Sequence, residues 1–217
     1  MPTDALINVN GDSVQTLEIL LLTTVLMLLP SLIIMMTSFT RYVVVFSFLR
    51  NAMGTQQTPP NMVLVGMALI LTLFTMSPTL SAVNEEAFAP YQAEEITQQE
   101  FFQRAQVPFK RFMSSWTEPQ SLELYCGMAG EPLPATEEEA VELPLMVIIP
   151  AFVTSELKHA FTLGFLLYIP FMLIDMVVAS TLMSMGMVML PPSMISTPFK
   201  LLLFILLDGW QLLFSTL

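Results

Sequence analysis

Four ionisable side chains, Glu156, Asp175, Lys200 and Asp208, stand in or beside long apolar runs. A charge facing lipid costs at least about 2.5–3.5 kcal/mol near the bilayer centre, so such groups are expected to face protein, water or one another. Asp175 and Lys200 flank a second unusual element, the stretch Met183 to Lys200, MSMGMVMLPPSMISTPFK. Methionine occupies every second position from Met183 to Met189, Gly186 lies inside the run, and Pro191-Pro192 ends it. Glycine loosens a helix and paired prolines stop one, so this is not a helix interior. Flexible, polarizable thioethers suit an irregular surface that closes and later opens. We expect Asp175 and Lys200 to pair, within one subunit or across a subunit boundary. Two roles stand open for such a pair: a fixed bridge locking helices together, or a charge pair that moves or relays protons. The methionines likewise read either as a deformable constriction or as ordinary core packing.

Catalytic chemistry finds no footing. The chain has one histidine, His159, and one cysteine, Cys126. A serine triad would have to use His159, yet no nucleophile elbow lies near it. One cysteine and one histidine do not make a zinc site, and a lone cysteine forms no intrachain disulfide. There is no phosphate-binding loop and no dinucleotide fingerprint. Glu85-Glu86 and Glu94-Glu95 fall in polar sequence without a recognisable pocket. No enzyme activity and no cofactor are expected.

The elements that must position these residues are membrane-type helices. Of 217 residues, 54% are hydrophobic and 12% charged, about half the charge of a soluble domain. The mean hydropathy is +0.70. Runs of bilayer length, for which roughly 20 residues suffice, cover Leu17–Phe39, Met62–Val83, Phe161–Leu190 and Ile195–Leu217. Pro30, Pro78, Pro150 and Pro170 fall in or near these runs and predict broken or kinked helices. The fold class is therefore all-α: one domain, 1–217, of membrane-associated helical hairpins. The first hairpin spans 17–80, an acidic external segment 81–142, and the second hairpin 143–217 with the methionine loop 183–189.

The net charge of −11 is uneven. Between Ala82 and Leu143 twelve glutamates stand against Arg104, Lys110 and Arg111, a local charge of −9. No basic footprint invites nucleic acid. Within this segment Phe101, Ala105, Phe109, Phe112 and Trp116 recur at helical spacing, with Pro108 predicting a kink or two short helices. Gly130 to Glu142 reads as a solvated loop. Arg41 and Arg50 place the connection between the first two runs on the cytoplasmic side, and the acidic segment outside. Lys158 and His159 then fall outside, against that rule. The N-terminus, MPTDALINVNGDS, lacks the basic region of a signal peptide and is expected to be a short tail on the outer face.

Two long stretches carry a family resemblance. RYVVVFSFLRNAMGTQQTPPNMVLVGMALILTLFTMSP, Arg41 to Pro78, resembles the first signature of the FliP family, the export-gate subunits of flagellar type III secretion, whose injectisome counterpart is SctR. ELKHAFTLGFLLYIPFMLIDMVVASTLMSMGMVMLPPSMISTPFKLLLFILLDGWQLLFS, Glu156 to Ser215, resembles the second. Together they cover nearly half the chain, and FLRNAMGTQQTPPN leans toward the flagellar branch. The resemblance implies a pentamer of this subunit, joined by FliQ-like and FliR-like subunits into a helically arranged hetero-oligomeric pore. FlhB-like and FlhA-like export components would be further partners, and unfolded flagellar proteins the cargo. It implies a methionine gasket around the pore, here Met183, Met185, Met187 and Met189. Val188 stands where such proteins often have methionine, leaving the gasket one thioether thinner per subunit. Glu156 matches a charged position of the family. The implied location is the bacterial inner membrane and flagellar basal body, with much of the subunit raised toward the periplasm. The competing class is a conventional transporter or ion channel subunit, and a third reading is a membrane scaffold without a pore.

Overall fold

The structure, a computed structural model, describes residues 7–9, 12–14, 16–55, 57–187 and 189–217. The elements of the described residues are helical apart from an N-terminal antiparallel ribbon, β1 (Ile7–Val9) and β2 (Asp12–Val14), in which Ile7 pairs with Val14. Among the described residues ten α-helices follow: α1 (Thr16–Met35), α2 (Phe39–Ala52), α3 (Asn61–Val83), α4 (Ala89–Gln92), α5 (Gln98–Trp116), α6 (Pro119–Ala129), α7 (Glu137–Glu142), α8 (Leu145–Ser184), α9 (Pro192–Leu206) and α10 (Gly209–Thr216). A π-helical turn, Asn84–Phe88, joins α3 to α4.

The connection expected between the first two apolar runs is itself a helix, α2, and it sits at the centre of the bundle. It runs alongside α8 in the same direction. Arg41 meets Glu156, and two turns on Phe48 meets Phe161, ring centroids 5.4 Å apart. Phe48 also fills the notch at Gly164, where an added Cβ would come within 2.5 Å of its ring. Helix α3 runs back antiparallel, with Tyr42 against Thr75 at 2.5 Å and Arg50 donating to Asn61 at 3.2 Å. The main core lies where α2, α3, α8 and the α9–α10 pair converge, around Val45, Phe46, Leu49, Ala68, Ala160, Phe171 and Leu213.

A second core lies under the acidic segment. Met113 of α5 and Cys126 of α6 pack on Val147, Ile148 and Phe152 of α8. The third apolar run therefore begins sixteen residues later than the helix that carries it, which starts at Leu145. At 40 residues α8 is about 60 Å long, twice the hydrocarbon core of a bilayer. Its first third serves the acidic segment.

Among the described residues two helices, Asn61–Gln92 and Leu145–Ser184, are long and apolar enough to cross a membrane. Two further pairs reach that length only as bent units, Ile19–Met35 with Phe39–Ala52 at 67° and Pro192–Leu206 with Gly209–Thr216 at 65°. The bends fall at residues 36–38 and at 207–208, away from the prolines. Pro30, Pro78, Pro150 and Pro170 all lie inside continuous helices. Pro108, which is buried, likewise leaves α5 as one helix of 19 residues. The solvated loop expected over Gly130–Glu142 ends in a helix, α7, started by Thr136, whose hydroxyl accepts from the Glu139 amide at 3.3 Å.

Candidate functional site

The methionine run is the end of α8 and the turn that follows. Gly186 adopts φ +74°, the left-handed conformation that glycine takes at little cost. The Met187 amide then reaches back to the Leu182 carbonyl at 3.0 Å and the Gly186 amide to Met183 at 3.1 Å. This is a Schellman stop. It throws the methionines outward: Met183 and Met185 are more than half exposed, Met187 is 46% exposed, and Met189 is 99% exposed. They are not core packing within this chain. Val188 lies outside the described residues.

Below the turn, α8 and α9 are joined at one polar point. Lys200 Nζ lies 2.6 Å from Asp175 Oδ2, and Ser196 Oγ donates to Asp175 Oδ1 at 2.6 Å. Ser196 and Lys200 are four residues apart on one face of α9. Lys200 also donates to the Ala52 carbonyl at 3.0 Å, so the cation caps the C-terminal end of α2. The pair forms within a single chain. Lys200 is buried and Asp175 partly open.

Glu156 occupies the other end of α2. Its carboxylate is fully buried and accepts from Arg41 through both oxygens, Nε to Oε2 at 2.9 Å and Nη2 to Oε1. The guanidinium stacks on Trp116 of α5, 4.3 Å from the ring centroid, and Nη1 donates to the Leu217 carbonyl at 3.3 Å. Arg41 is thus no loop cation. Helix α2 carries it to the acidic end of the bundle, opposite Arg50, so it drops out of the charge count that placed the 40–61 connection on the cytoplasmic side. Sequence reasoning missed the partnership because residues 41 and 156 are 115 positions apart. A lone arginine beside an apolar run, matched to a lone glutamate in another, was the available signal. Along α8, Glu156 and Asp175 are about 28 Å apart, close to a hydrocarbon core thickness.

Asp208 is exposed at the α9–α10 bend, with φ +47°, and no ion pair is found for it among the described residues. His159 Nε2 lies 3.5 Å from Glu118, which also pairs with Lys158. Ser155, one turn before His159, is committed elsewhere: its hydroxyl donates to Ala151 at 2.9 Å and accepts from the Glu118 amide at 2.9 Å. These contacts clamp the α5–α6 corner to α8, and Ser155 is not a partner of His159. Burial and the nearby Glu131 push the Cys126 thiol above its ordinary range, which keeps it protonated and unreactive. Among the described residues no group of three side chains is placed to hold a metal.

A helical membrane-type protein, with Glu156, Asp175 and Lys200 held in ion pairs and its thioethers displayed on a turn, is the class these features define. A model of the FliP family matches residues 21–217, and the chain belongs to that family. It is 50% identical over 203 residues to the flagellar biosynthetic protein FliP of Bacillus subtilis strain 168, covering 94% of this chain and 90% of that one. It is 49% identical over 207 residues to the FliP of Aquifex aeolicus strain VF5, covering 95% and 86%. The FliP of Pectobacterium carotovorum is 49% identical over 210 residues, covering 96% and 80%.

Proposed function

We propose that this protein is a membrane-associated core subunit of the flagellar protein export gate, acting in flagellum biogenesis and not as an enzyme. Copies of the chain, pentameric by family resemblance, associate with FliQ-like and FliR-like subunits around one axis. The 183–189 turns meet there and form the seal. Unfolded flagellar substrates pass through it, delivered with FlhB-like and FlhA-like components at the inner membrane. Much of the subunit stands toward the periplasm, with the acidic segment on that side and Arg50 and Lys200 at the opposite end.

The observation that carries this reading is the exposure of Met183, Met185, Met187 and Met189 on a turn that the chain leaves uncovered. Apolar side chains placed together at a helix end find cover in a neighbouring molecule or in themselves. Methionine has many rotamers and no hydrogen-bonding demand, so a ring of them reseals around different cargoes. Asp175 and Lys200 fix the base of the turn.

Native mass spectrometry of the protein in mild detergent, expressed alone and with its FliQ-like and FliR-like partners, tests the assembly. A ring-sized oligomer that grows into a defined hetero-complex is expected. A stable monomer or dimer in both preparations contradicts the shared pore and leaves a transporter-type subunit or a scaffold.

A further inference from the structure

The packed part of the bundle ends at one level. On α8 the last buried residue is Phe171, and on α9 the first is Ser196, followed by Lys200. Among the described residues between 172 and 195, none is buried. Twenty-odd residues of helix end and turn, the methionines among them, therefore project beyond the core as a tip. Its two limbs are tied at their base by the Asp175, Ser196 and Lys200 side chains.

In that tie the lysine has two obligations, to Asp175 and to the Ala52 carbonyl. Asp175 is the partly open member, and the broad terminal torsion of an aspartate is fixed only when both oxygens are held. The holding bond comes from Ser196, a fully buried hydroxyl that bridges to Oδ1 at 2.6 Å. Its own helix offers only a long alternative, the Ser193 carbonyl at 3.4 Å. Thr197, the next hydroxyl on α9, is bonded to Ser193 at 2.7 Å and faces Gly54, so it is no substitute.

We infer that Ser196 is a positioning residue for the seal: its hydroxyl aims the Asp175 carboxylate at Lys200 and so sets how far the methionine tip swings. The seal itself rests on the gate reading above; the control of the tip does not. When the hydroxyl is lost, the ion pair survives in a looser form and the core is untouched. The tip then hinges about its base.

Hydrogen exchange on the purified full chain, together with ion conductance of membranes carrying the assembled complex, tests this. S196A should speed exchange about ten- to a hundredfold in 176–195 and leave 145–171 unchanged, the scale expected for one hydrogen bond to a charged group. S196T, which restores the hydroxyl, should return exchange toward the parent. In a D175A background S196A should add nothing, whereas a generally damaged α9 would add its own effect. Faster tip exchange with raised conductance supports both readings. Faster tip exchange with unchanged conductance keeps the positioning role and removes the seal. Unchanged tip exchange in S196A, or exchange that rises equally through 145–171, overturns the inference whatever the conductance does.

Discussion

Lys200 donates a 3.0 Å hydrogen bond to the Ala52 carbonyl while it pairs with Asp175 at 2.6 Å, so one ammonium group closes α2, α8 and α9 together. Removing one partner of a buried pair costs about 3–5 kcal/mol, discounted here because Asp175 is partly open. K200E and D175K should each reduce the yield of assembled complex in native gels. The double swap should restore it only in part, because an acid at position 200 meets the Ala52 carbonyl with no proton to donate. Full restoration would show that the bond to Ala52 carries no weight.

The Arg41–Glu156 pair is the more buried of the two, with both side chains closed to solvent. R41A should lower thermal stability more than any single change at the methionine turn, on the order of 3–5 kcal/mol. W116L removes the stacking on Arg41 together with the ring contact to Phe112, leaves the ion pair itself in place, and should cost about 1 kcal/mol. A melting series in detergent that ranks W116L at or above R41A would contradict this order.

Backbone conformation makes two opposite forecasts. Glu94 holds φ +59° at the end of α4, where the Glu95 amide reaches back to Pro90 and the Glu94 amide to Tyr91, the same stop that Gly186 makes in α8. E94G should therefore stabilise by up to about 1 kcal/mol, and G186A should destabilise locally by about as much. No neighbour crowds Gly186, so the second effect is backbone strain alone. Equal melting points for parent and both variants would refute the pair of forecasts.

Two groups of the acidic segment set a pH dependence. The Thr97 amide and hydroxyl hold the Glu100 carboxylate below its ordinary value, completing a capping box at the start of α5. Its contribution is present above the ordinary carboxylate range and is lost as pH falls through the lowered value. Lys110 is buried on α5, and burial lowers its value from 10.5. The folded state there binds fewer protons than the unfolded one, so stability rises with pH between the lowered value and about 10.5. K110M should stabilise the protein at neutral pH and flatten the alkaline rise. T97A should raise the Glu100 titration midpoint, read by NMR of the carboxyl carbon.

Much of this architecture is legible in the residues. Apolar runs of bilayer length mark α3, α8 and the bent end pairs, and the spacing of Phe101 to Trp116 marks α5. What is not legible follows from distance and from turn chemistry. Helix α2 hides because its sequence mixes Arg41 and Arg50 with apolar residues, and only the burial of Arg41 against Glu156 explains why a helix with a charge in its first turn sits in the core. The N-terminal ribbon was overlooked although Asn10-Gly11, the residues between its strands, is a strong hairpin sequence. Prolines misled because Pro30, Pro78, Pro150 and Pro170 leave their helices continuous, while the bends fall at residues 36–38 and at Leu207-Asp208. For the site, the charges beside the methionine run pointed to Asp175 and Lys200. Ser196 gave no such signal, since a serine in an apolar run is unremarkable until its hydroxyl is seen to meet a carboxylate.

The central claim is that the methionine turns seal a shared pore. Its most direct test is ion conductance of membranes carrying the assembled complex in which Met185, Met187 and Met189 are all replaced by alanine. Assembly should be retained, since these side chains project from the packed bundle, and conductance should rise severalfold over the parent. Parent-level conductance in a fully assembled triple variant would contradict the seal.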